Sequence, residues 1–300
     1  MLSYRLEPFT RLHDKGVLMI DLHTHTTASD GTYTPEQLID YALEKKLKAI
    51  AITDHDTIDG LLQAQDYLQK KAIDPSTLEL INGIELSTNI DKYDFDIHIV
   101  GLFLDIHHPS FVKGLKHIYD DRERRNEKMI ESLQNHNYDI TLDELKSQSK
   151  DSVITRSHFA NHLVEKGYFS KTKEVFHKLI GNGKKLYIPR EDVSSESAIH
   201  LIKESGGIPV LAHPTLYPLD SNGLYALVDQ LKSYGLLGIE TYYSLYTAQE
   251  TKAMIHIAER FSLLKSGGSD FHGENKPGND LGVGFGNLQV PDELLIPMRH

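Results

Sequence analysis

The chain has 300 residues, no cysteine, 17 histidines and a formal net charge of −11. That length buries a sizeable core without staples, and the lack of thiols excludes a disulfide framework, thiolate ligands and a cysteine nucleophile, so any metal site must be built from His, Asp and Glu. The acidic balance argues against a long groove that tracks nucleic acid; with no apolar stretch near the roughly 20 residues of a membrane span and no basic N-terminal region followed by an apolar core, a cytoplasmic protein is the default expectation.

In chain order, VLMIDLH (17–23) reads as a strand, and Thr34 with Pro35 opens a helix over 34–47 as N-cap and first helical residue. AIAITDHD (49–56) is the next strand, a helix follows near 59–71, and LELINGIELST (78–88) and DFDIHIVGLFL (94–104) are two more strands. From about 109 to 190 the pattern is helical, with a long charged helix at 115–136 and shorter ones at 141–149, 156–166 and 172–180, which marks an insertion. The alternation then resumes with a helix at 197–206, a strand at 208–214, a helix near 223–234, a strand at 236–243, a helix at 247–261 and a strand at 262–273. Seven strands with helices between them predict a parallel α/β barrel rather than an open sheet.

The strand ends carry the chemistry. His23 and His25 end the first strand; Asp54, His55 and Asp56 end the second; Glu85 and His98 lie in or after the third and fourth; His213, Glu240, and the pair Asp270 and His272 end later ones. In a barrel of parallel strands these ends converge on one face. Each motif has a bland alternative: TDHD as a helix-capping turn, AHP as a turn set by Pro214, GSDFHG as a loop shaped by its glycines. Six strand ends that all present imidazole or carboxylate are hard to ascribe to turn chemistry, and the joint pattern points to metal.

HTHTTASDG, ITDHDT, NGIELS, HIVGL, AHP and GSDFHG, in this order, resemble the PHP (polymerase and histidinol phosphatase) family of metal-dependent phosphoesterases, over about residues 19 to 290. The resemblance is strongest to the bacterial branch that removes the 3′-phosphate of 3′,5′-bisphosphonucleosides such as pAp and trims short oligonucleotides from the 5′ end. It implies a distorted seven-stranded β/α barrel over 19–106 and 192–290, with a helical insertion domain over 107–191. It also implies three metals: one on His23, His25, Glu85 and Asp270; one on Glu85, His98 and His213; one on Asp30, His55 and His272. Catalysis would run through a metal-bridging hydroxide that depends on Glu85, Asp270 and His213, with two to three ions per chain; Mn²⁺ is preferred, and Zn²⁺ and Fe²⁺ suit the same donors.

Three carboxylates offset half of the roughly +6 of three divalent ions, so an acidic protein would gain a positive pocket for a small phosphorylated nucleotide or short oligonucleotide. Arg122 and Arg156 match the family's phosphate-binding arginines, a reading favoured here although Arg122, Arg124 and Arg125 lie on a charged helix and such a run is usually a solvated face. His107, His108, His158 and His162 read as capping or surface residues, and Asp54 and Asp56 as groups that orient His55. Two rival readings are a histidinol-phosphate-type phosphatase and a non-catalytic metal-binding module; the intact set of nine ligands counts against the second.

Overall fold

The computed structural model describes residues 19–149, 152–191 and 193–299; positions 17 and 18 of the first expected strand lie outside them. Seven strands follow one another around a single sheet: β1 Ile20–Asp21, β2 Ala49–Ile52, β3 Glu79–Thr88, β4 Ile97–Leu102, β5 Ile208–Leu211, β6 Gly238–Tyr243 and β7 Leu264–Gly268. The edges meet, since the Leu22 N–H donates to the Gly267 carbonyl at 3.1 Å and the Asp270 N–H to the His23 carbonyl at 2.8 Å. Gly268 permits this closure: a Cβ there would lie 2.5 Å from the His23 backbone nitrogen. The result is a barrel of mixed sheet.

Its strands alternate between two cores. Ala49 and Ala51 of β2, Ile81 of β3, Val100 and Leu102 of β4 and Val210 of β5 pack together inside the barrel, joined by Val290, Leu295 and Met298 from the C-terminal segment. Their neighbours Ile50, Ile52, Ile84, Leu86, Ile97 and Ile99 face outward against the surrounding helices. This is the period-two alternation of a sheet covered on both faces.

The expectation of seven parallel strands is corrected at one position. β4 runs antiparallel to both β3 and β5. Only residues 89–96 separate β3 from β4, too few for a parallel crossover, which needs a dozen or more. The reversal places the N-terminal end of β4, with His98, on the same face as the C-terminal ends of the other strands.

It also sends the chain out at the opposite face. α3, Pro109–Gln134, starts there with Pro109 in its first turn, a turn and a half earlier than the hydrophobic period suggests. Its 26 residues span about 39 Å at 1.5 Å per residue. Phe111 and Ile118 pack on the outer core, whereas Met129 and Leu133 join a separate cluster with Phe159, Leu163, Val175 and Ile180. That cluster comes from α4 (Leu142–Ser149), α5 (Arg156–Glu165), α6 (Thr172–Val175) and a π-helical turn at Phe176–Ile180. Among the described residues no helix is long and apolar enough to cross a membrane.

Candidate metal centre

All nine expected ligands lie at one end of the barrel, and strand parity explains the two that come from mid-strand. Glu85 shares the inward parity of Ile81 on β3, and His98 that of Val100 on β4. His213 and Asp270, just past β5 and β7, hold left-handed backbone with φ of 31° and 54°. Such conformations are unfavourable away from glycine and persist where surrounding contacts over-determine them. Here the His213 N–H donates to Glu240 Oε2 at 2.5 Å, and the Asp270 N–H to the barrel edge.

Glu85 is at the centre of the cluster and 1 % exposed. Its Oε2 faces His23 Nε2 (3.3 Å), His25 Nε2 (3.2 Å) and His55 Nδ1 (3.1 Å). Its Oε1 faces His98 Nδ1 (2.9 Å) and His213 Nε2 (3.1 Å). Asp270 Oδ1 completes the first group, 3.7 Å from His23 Nε2 and 3.4 Å from His25 Nε2. Asp30 Oδ1 lies 3.3 Å from His272 Nε2 and 3.9 Å from both His55 Nε2 and His25 Nδ1. His55 therefore turns one nitrogen to each of two groups.

This donor set fits divalent cations. Donors about 2.1 Å from a common ion stand roughly 3.0 Å apart at right angles and 3.4 Å apart at tetrahedral angles, and the separations around His23, His25, Glu85 and Asp270 run from 3.1 to 3.7 Å. Asp30 Oδ1, His55 Nδ1 and His213 Nδ1 are buried without a hydrogen-bond partner. Burial works against ionised Glu85, yet His55, His23 and His98 hold its carboxyl well below the usual range. Burial draws His55 down to about 3, whereas the carboxylates around His23 and His272 outweigh burial and raise both, His272 to about 9.

The carboxylates behind the ligands fix their orientation. His23 Nδ1–H donates to buried Glu240 Oε1 at 2.7 Å, which leaves Nε2 to the cluster. His272 does the same through the Asp270 carbonyl at 2.9 Å, leaving Nε2 toward Asp30. Tyr243 donates its hydroxyl to Asp270 Oδ2 at 2.6 Å, and Lys276 Nζ reaches the same oxygen at 2.5 Å.

The expected role of Asp54 and Asp56 is corrected, because neither bonds His55. Asp54 accepts from Thr26 N and Oγ1 and from Ser29 Oγ, pinning the loop between His25 and Asp30. Asp56 accepts from Arg122 Nε at 2.7 Å, Arg190 Nη1 at 2.5 Å and Ser87 N at 3.0 Å, so it ties β2 to the helical segment. His158 serves as part of the α5 N-terminal cap, and His162 is buried against Gln148 and the Asp139 carbonyl.

A cavity of about 300 Å³ opens beside the cluster, lined by Asp30, His55, His98 and His272 together with Arg122, Arg125 and Arg156. Arg156 pairs with buried Asp96 at 2.9 Å and lies over the Tyr187 ring. Of the three arginines of the charged run, Arg124 is exposed, whereas Arg122 and Arg125 are buried against the barrel. Residues 122 and 125 are one helical turn apart, and that spacing was the available signal for Arg125. Arg190 and Lys276 carry no local signal; their partners are distant in sequence.

One expectation follows for the purified chain. With most ligand atoms buried and facing one another, metal binding is coupled to stability, so chelation should lower Tm by several degrees and readdition of Mn²⁺ or Zn²⁺ should restore it. Elemental analysis should find two to three ions per chain; a fully active preparation with one ion or none would contradict the arrangement.

The profile of the PHP domain matches residues 21–216. The 5′-3′ exoribonuclease Rnm of Escherichia coli is 36% identical over 255 residues, 85% of this chain and 85% of its own. The 3′,5′-nucleoside bisphosphate phosphatase of Chromobacterium violaceum is 33% identical over 264 residues, 88% of this chain and 90% of its own. A solved structure from Bifidobacterium adolescentis, described as a metal-dependent phosphoesterase, matches with a TM-score of 0.78 and 29% identity, over 94% of this chain and 95% of that one.

Proposed function

The chain belongs to the PHP family and is a metal-dependent phosphoric ester hydrolase, and on that premise we propose that its substrate is a 3′,5′-bisphosphorylated nucleoside, with short oligonucleotides entering the same site from the 5′ end. The observation that carries this reading is the shared cavity: expected metal donors and arginines line it together, so a molecule with two phosphates can present one to each set. In this reading residues 107–191 are an inserted unit with its own core, and its task is to hold the part of the substrate that does not react.

Divalent ions held by His23, His25, Glu85 and Asp270, by Glu85, His98 and His213, and by Asp30, His55 and His272 would supply Lewis-acid chemistry, acidifying water and offsetting phosphoryl charge. Glu85 spans two donor groups, so its carboxylate sets their separation. Glu240 holds the His23 tautomer and, through the His213 N–H, the strained turn that carries a second ligand. Thr155 donates to Asp30 Oδ2 at 3.1 Å, so the inserted unit also positions one donor. Arg156 and Arg122 contribute binding and orientation of the second phosphate; Arg122 shares its guanidinium with Asp56 and Ser87 while it lines the cavity.

The decisive experiment is phosphate release from pAp, histidinol phosphate and a 5′-phosphorylated short oligonucleotide, each with Mn²⁺. pAp is expected to be hydrolysed well and histidinol phosphate poorly; the reverse order would sink the assignment. Arg156→Ala should lower kcat/KM toward pAp by roughly 1.5 to 3 kcal/mol, the range of a charge-assisted hydrogen bond, and cost much less on a simple aryl phosphate. Equal losses on both would place this arginine on the reacting phosphate.

A further inference from the structure

Asp270 is held by two donors on one oxygen, and one of them is enough to orient it. The Tyr243 hydroxyl donates to Oδ2 at 2.6 Å and Lys276 Nζ reaches the same oxygen at 2.5 Å, while Oδ1 stays toward His23, His25 and His272 at 3.7, 3.4 and 3.2 Å. A neutral hydroxyl already turns Oδ1 to the donor cluster. What Lys276 adds is charge: burial works against ionised Asp270, and Lys276, ahead of His272 and His23, holds its carboxyl well below the usual range.

Beside donors that fit divalent cations, that charge is adverse. Like charges repel most strongly where water is scarce, and three carboxylates neutralise only about half of the roughly +6 of three divalent ions. An anion seated between the ammonium and the ions turns the repulsion into attraction. The loop holds Lys276 ready for one. Gly273 takes a φ of 61°, where a Cβ would lie 2.1 Å from Thr32 Oγ1; the Glu274 N–H donates to that oxygen at 2.9 Å, and Asn275 Nδ2 donates to the Asp30 carbonyl at 2.7 Å. The Lys276 side chain is 38 % exposed and lines the cavity with Asp30, His55, His98 and His272. An ammonium has three N–H donors and Asp270 Oδ2 takes one, so donors remain for a ligand.

We propose that Lys276 is a catalytic residue of this site, its ammonium bridging Asp270 and an oxygen of the reacting phosphate. It keeps its protons throughout and offsets charge on the phosphoryl oxygens while the ester bond breaks, from a position set before the substrate arrives. The inference goes beyond the bisphosphorylated-nucleoside reading, because it applies to any phosphate ester cleaved at the cluster.

The test uses the full chain loaded with Mn²⁺, as wild type, Lys276→Met and Lys276→Gln. Lys276→Met should lower kcat/KM roughly 100-fold on pAp and on a simple aryl phosphate alike. It should keep its full metal content and need at least as much EDTA as wild type to strip it, because a like charge has been removed. Inorganic phosphate should raise the Tm of the wild type, and Lys276→Met should need at least tenfold more phosphate for the same shift. A loss of activity that goes with the loss of an ion would overturn the proposal and make Lys276 a support for Asp270. A loss on pAp that spares the aryl phosphate would also overturn it, by placing the ammonium on the second phosphate. So would a change below threefold on both substrates. Should Lys276→Met fail to fold, Lys276→Gln, which is neutral and still polar, carries the same comparison with the same outcomes. A wild type that cleaves the aryl phosphate but not pAp, with the Lys276 dependence intact, would uphold the proposal and refute the nucleotide reading alone.

Discussion

Glu85→Gln is expected to lower kcat by at least roughly 10³-fold, about 4 kcal/mol in activation free energy. The amide preserves shape and volume, so the effect isolates charge and donor capacity. At wild-type geometry one oxygen of Glu85 faces His23, His25 and His55, and the other faces His98 and His213. A carboxamide has one oxygen, so one of those two groups would meet an NH₂ that cannot bind a cation. Metal content should fall by at least one ion, which separates this loss from a subtler change in alignment. A variant with full metal content and activity within tenfold of wild type would show that Glu85 does not bridge the two groups.

Asp56→Asn should have the largest effect on stability, a loss of about 3 to 5 kcal/mol, the range for breaking a buried ion pair by removing one charge. Arg122 and Arg190, whose side chains are 3 % and 1 % exposed, both depend on Asp56. Asparagine tolerates the left-handed backbone there, where φ is 54°, so the loss reports on charge rather than strain. A fall in Tm of roughly 10 °C corresponds to that range. Urea unfolding that shows a change below 1 kcal/mol would mean that water or another acceptor reaches the two guanidiniums. The double variant Asp56→Asn, Arg122→Met should recover part of the loss, because it removes one of the stranded charges.

Much of the site was legible because its signals are local. A strand followed by His-x-His, by Asp-His-Asp or by Asp-Phe-His places polar donors where the extended run ends, and neither the run nor its end requires a partner strand to be recognised. Glu85 and His98 were harder, since both sit within strands; period-two alternation orients them inward, but only the barrel brings them to within 2.9 Å of each other. The helical segment was legible as a change of pattern, and its separate apolar cluster follows from amphipathic periods that a single helix could not bury alone.

What tertiary structure alone decided concerns pairings between residues far apart in the chain. The direction of β4 depends on its partners on either side, and the parallel reading failed because the shortness of the β3–β4 connection was outweighed by the surrounding βα rhythm. The division of charge among Asp56, Asp96, Asp121 and the buried arginines joins positions up to 134 residues apart. Hydrophobic period shows which face of α3 turns inward, but not which carboxylate meets each guanidinium. That depends on a docking geometry in which a displacement of a few ångströms at low dielectric exchanges one ion pair for another. The sequence therefore specified the donors and their face of the barrel; the fold determined which carboxylate meets each buried arginine.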